Sequence, residues 1–93
     1  MSAFAKALEP LRRRMERVSL PESFVRELLV PSAVIELNDA AMRWAGMPNK
    51  NERAAMREVL TALANAGFLE SEGAERWRVL RGAEMLETDR HEE

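Results

Sequence analysis

The chain has 93 residues and a mass of 10.6 kDa, enough for one domain with a single modest core. Its 46% hydrophobic and 32% charged residues describe a globular chain, and the absence of cysteine excludes disulfides, thiolate metal sites and a cysteine nucleophile. The net charge of −2 excludes little, because it divides into +3 over residues 1–20, −2 over 21–49, +1 over 50–81 and −4 over 82–93.

From the N-terminus, apolar residues fall at Phe4, Leu8, Leu11, Met15 and Val18, steps of four and three that lay one stripe along a helix. Pro10 interrupts it, so the helix either kinks there or ends and restarts with Pro10 in the new first turn. Arg12, Arg13 and Arg14 crowd the opposite face. Ser19-Leu20-Pro21-Glu22 reads as the next helix start, with Ser19 as cap and Glu22 three residues on as in a capping box. That helix turns Phe24, Val25, Leu28 and Leu29 inward and closes at Pro31.

Ala33-Val34-Ile35-Glu36-Leu37 predicts a brief strand. Asn38 or Asp39 is expected to cap a helix running through Ala40, Ala41, Met42 and Trp44 to Gly46. After the turn at residues 47–51, Asn49 or Asn51 starts the longest amphipathic helix, with Met56, Val59, Leu60 and Leu63 inward and Gly67 at its end. Phe68-Leu69-Glu70 is strand-like, residues 71–75 supply a turn, and Arg76-Trp77-Arg78-Val79 alternates charge with bulk. Trp77 and Val79 then face one way, Arg76 and Arg78 the other. Residues 82–93 read as an acidic tail, frayed or disordered.

Helix, short strand, helix, turn, helix, strand, tight loop, strand is an order that resembles the winged helix-turn-helix DNA-binding domains of bacterial regulators. The likeness spans residues 24–81 and is most specific at MREVLTALANAGFLE (56–70), similar to a recognition helix entering a wing hairpin, and at LNDAAMRWAG (37–46), similar to the helix before it. The turn between those helices looks several residues longer than the tight form. The resemblance implies a mainly α fold with a small β-hairpin wing, divided into an N-terminal amphipathic helix (1–20), a winged helix-turn-helix domain (21–81) and the tail (82–93).

It also implies double-stranded DNA as partner and a third helix whose N-terminal half enters the major groove. Of the outward residues there, Arg53, Arg57 and Thr61 share one face and are candidate base contacts, while Lys50, Asn51, Arg76 and Arg78 are candidates for the backbone. Arg12, Arg13 and Arg14 are either an accessory phosphate arm or simply a solvated helix face. The stripe of Phe4, Leu8, Leu11, Met15 and Val18 packs either on the chain's own core or on a second copy. Helices that dimerise often extend such domains, so the resemblance favours a homodimer. Trp44 and Trp77 stand where core bulk is needed.

No catalytic, metal or cofactor chemistry is expected. The only histidine is His91 in the tail, so no serine has a partner base and no second imidazole completes a metal site. No apolar run approaches the roughly 18 residues of a membrane span or forms a signal peptide, which predicts a cytoplasmic protein. The expected function is a small transcriptional regulator acting by operator occupancy. A winged-helix module that binds a protein partner, with little or no DNA binding, is the alternative, and the acids Glu72 and Glu75 near the wing tip suit it.

Overall fold

Pro10 decides how the chain begins. A computed structural model describes residues 2–83, and in it the N-terminal stripe is carried by α1 (Ala3–Leu8), a 3-10 turn (Glu9–Leu11) and α2 (Arg12–Arg17) in succession. Pro10 lies in the first turn of the 3-10 segment, where a missing N–H costs nothing, so the helix restarts there. Phe4, Leu8 and Met15 are buried and Leu11 and Val18 half-buried, all against the chain's own core. The Phe4 ring meets Phe68 edge to face, centroids 6.0 Å apart at 83°, with the Arg26 guanidinium 4.8 Å from the Phe4 centroid on its face. Three of the five stripe side chains, Phe4, Leu8 and Met15, are thus covered within one chain.

Ser19 does not cap the second helical segment. It has φ of +61°, and Leu20 N–H donates to the Met15 carbonyl (2.8 Å) while Ser19 N–H donates to Glu16 (3.1 Å). Those two bonds form a Schellman motif that ends α2, with serine in the left-handed position usually given to glycine and buried Leu20 sealing the turn. The next helix, α3 (Glu22–Leu28), is instead preceded by extended Pro21 and has no side-chain cap. Likewise α4 (Leu37–Ala45) begins after Glu36, so neither Asn38 nor Asp39 caps it.

α4 stops at Gly46, whose φ of +76° and ψ of −73° turn the chain within three residues as Met47 N–H donates to the Ala45 carbonyl (2.8 Å). The four residues 46–49 then lead to α5 (Lys50–Asn65). Here the local signal holds: Asn49 accepts from Glu52 N–H and the Glu52 carboxylate accepts from Asn49 N–H, both at 2.8 Å. Ala55, Met56, Val59, Leu60 and Leu63 face the core. Gly67 (φ +93°) closes α5 with a second Schellman motif, Phe68 N–H donating to Leu63.

Three short strands complete the fold. β1 (Val34–Glu36), β2 (Leu69–Gly73) and β3 (Arg76–Val79) form an antiparallel sheet in the order β1-β3-β2, with Ile35 opposite Trp77 and Leu69 opposite Val79. As expected, Trp77 and Val79 are buried while Arg76 and Arg78 face solvent. The hairpin is tighter than the five-residue turn expected from sequence: β2 continues to Gly73, and only Ala74 and Glu75 bridge the strands. Glu72 bulges where the register shifts.

The result is a mainly helical chain with one small sheet, its core lying between the helices and the inner sheet face. Ala83 belongs to that core, two residues beyond the expected edge of the domain. The remainder of the expected tail lies outside the described residues. Among the described residues, no helix is long and apolar enough to cross a membrane.

Candidate nucleic-acid interface

A sixteen-residue helix that buries one side must present the other, and α5 presents Lys50, Asn51, Arg53, Arg57 and Thr61, all exposed. The three residues spaced by four do share a face, but their surroundings differ. Arg53 turns back to donate from Nη1 to the Pro48 carbonyl (3.0 Å), at the entry to the helix. Arg57 reaches across to the hairpin, where Nη2 donates to Glu75 Oε2 at 2.6 Å. Thr61 lies in a shallow groove of about 340 Å³ walled by Ala7, Pro10 and Leu11, because the N-terminal helices run along this half of α5. Lys50 and Asn51 make no side-chain bond among the described residues.

The hairpin positions the remaining cations. Alternation along β3 sends Arg76 and Arg78 to the outer sheet face together, but each is answered by a carboxylate. Arg76 Nη1 lies 3.1 Å from Glu36 Oε2 on the neighbouring strand. Arg78 Nε lies 2.5 Å from Glu72 on the bulge, and its Nη1 donates to the Ser32 carbonyl at 3.4 Å. The turn itself is tethered, since Leu37 N–H at the start of α4 donates to the Glu75 carbonyl (3.0 Å). The Arg57–Glu75 pair brings that turn beside the middle of α5.

These pairs are exposed, the partners' side chains ranging from 28% to 57% accessible. Exposed pairs contribute about 0–1 kcal/mol each, so an incoming phosphate can displace any one of them. They nevertheless cancel much of the positive field that the arginines would set up alone.

The arginine run divides. Arg12 pairs with Glu22 (2.8 Å) and Glu9 (3.4 Å), and Glu22 also takes Arg26 (3.2 Å), so Arg12 ties α2 to α3. Its hydrogen bond to Glu22 holds the Arg12 guanidinium above its ordinary pKa. Arg14 pairs with Glu58 of α5 (3.2 Å). Arg13 is exposed and makes no ion pair among the described residues.

Arg17 stands outside the contacts expected from the sequence. It joins Arg14 in an open cleft of about 600 Å³ against Asn49, Asn51 and Glu52 at the start of α5. Its sequence signal was weak, because a single arginine one turn beyond a triplet reads as more of the same face. Among the described residues no cluster of acids and histidines can hold a metal, and no buried side-chain polar atom lacks a partner. Trp77 is buried in the core and Trp44 half-buried, its Nε1 donating to the Ser19 carbonyl (3.2 Å).

Comparison with known proteins gives no match: no protein-family model fits the chain, and no curated protein or solved structure is significantly similar to it.

Proposed function

We propose that the chain is a winged-helix DNA-binding domain that regulates transcription by occupying an operator. The observation that carries the proposal is the outer face of α5. Lys50, Asn51, Arg53 and Arg57 take no part in the core and stand exposed together on the N-terminal half of the helix. A helix so presented fits a major groove, where arginine donates two hydrogen bonds to guanine O6 and N7. The antiparallel order β1-β3-β2, with the hairpin following α5, suits the wing of such a domain. In this reading Arg53 and Arg57 address bases, Thr61 assists from the groove edge, and Lys50, Asn51, Arg76 and Arg78 hold phosphates. Arg13 and Arg14 supply accessory phosphate contacts, and Arg12 stays in its structural pair. A homodimer matching a two-fold operator would form through a surface other than the Phe4–Val18 stripe.

One observation favours a second reading, a winged-helix module that docks on a protein. Arg57, Arg76 and Arg78 are each matched with a carboxylate, which weakens attraction for a polyanion.

Binding to a random-sequence duplex pool at about 50 and 200 mM salt, with sequencing of the retained fraction, separates the two. Steep salt dependence with an enriched sequence supports the regulator, and an enriched palindrome supports the dimer. Retention without enrichment leaves a backbone binder, and no retention at the lower salt favours the protein-docking module.

A further inference from the structure

We infer that Glu75 is a specificity-determining residue, a counter-ion that holds Arg57 for base edges and against the phosphate backbone; the inference rests on the DNA-binding reading above. Three observations converge on it. Glu75 Oε2 lies 2.6 Å from Arg57 Nη2, across eighteen residues of sequence. The carboxylate is carried by a fixed turn, because the Glu75 carbonyl accepts from Leu37 N–H and the adjoining Arg76 pairs with Glu36. Both side chains are close to half exposed, so the pair faces whatever approaches α5.

A free arginine on a recognition face gains affinity from any phosphate, and so binds all sequences. With Glu75 in place, a phosphate must displace one carboxylate and sit beside its negative charge. A guanine edge imposes no such repulsion, and the arginine's remaining N–H groups stay available to it. The carboxylate therefore weakens binding to every sequence and raises the ratio between the right sequence and the rest. It also restricts the rotamers of Arg57, fixing where that ratio is read.

The test compares the full chain with Glu75→Gln, which keeps the size and the backbone bond of residue 75. Glu70→Gln is the control, because Glu70 is an exposed acid on the same hairpin that makes no ion pair among the described residues. Affinity is measured across a salt series for a random-sequence duplex and for the duplex enriched by the wild-type chain. The expected result for Glu75→Gln is about fivefold tighter binding to random duplex, a salt slope steeper by about 0.9 and a smaller preference for the enriched duplex. Glu70→Gln should leave that preference unchanged.

Equal changes in both variants would overturn the inference, since net charge alone then explains them. Unchanged binding in Glu75→Gln, with wild type still selecting a sequence, would overturn it while sparing the DNA-binding reading. Retention of DNA by neither wild type nor Glu75→Gln at 50 mM salt would overturn both.

Discussion

Phe4→Ala tests whether the N-terminal segment belongs to the core. The Phe4 side chain is 0% exposed, packs edge to face on Phe68 and lies under the Arg26 guanidinium. Phenylalanine-to-alanine changes at buried sites cost about 3–5 kcal/mol, and an aromatic pair accounts for about 0.5–1.5 kcal/mol of such a loss. A loss near 4 kcal/mol follows. A domain of this length holds roughly 5–14 kcal/mol, so the variant should remain folded in water yet lose a large part of its margin.

With a urea m value of roughly 1.5 kcal/mol/M, the midpoint should fall by about 2.5–3 M. Fluorescence of Trp44 and Trp77 follows the transition, since Trp77 is buried and Trp44 packs against the core. The decisive feature is concentration. A stripe buried within one chain makes the loss on Phe4→Ala the same at about 1 and 100 µM protein, whereas a seam between two chains makes that loss climb with concentration. A loss below about 1 kcal/mol, or a loss that grows with protein concentration, would refute the packing argument.

Other substitutions probe backbone and interface separately. Gly46→Ala should cost about 1–3 kcal/mol in thermal or urea unfolding, from positive φ alone, because a Cβ there meets nothing within 4 Å. Ser19→Gly should raise stability by about 0.5–1 kcal/mol, or several degrees in melting temperature, by relieving the left-handed conformation. Destabilisation by that change would contradict the Schellman ending of α2. For DNA, Arg57→Ala should weaken the enriched duplex by about 1–3 kcal/mol and relax preference at one base pair, whereas Arg78→Ala should weaken all sequences alike and flatten the salt slope. Equal loss from both variants on enriched and random duplex would refute those roles.

The sequence by itself determined the features whose physics is local. The end of α5 was legible because Gly67 supplies the positive φ a helix ending needs, and its start was narrowed to Asn49 or Asn51, between which the Asn49–Glu52 capping box decides. Alternation placed Trp77 inward and Arg78 outward without reference to any partner strand. Ser19 marks where local reading divides: a serine before Pro21 suits the start of one helix and the end of another, and only the Leu20–Met15 hydrogen bond selects the second.

What tertiary structure alone decided was pairing at long range. An apolar stripe has the same periodicity whether it meets its own core or a second chain, and it was the arrival of Phe68 beside Phe4 that settled which. The arginines were legible as exposed cations. Their partners were not, since Glu75 meets Arg57 across eighteen residues and Glu36 meets Arg76 across forty. Side-chain charge is written in the sequence, but its neutralisation depends on strand register and turn length. Those follow only when the sheet closes on the helices.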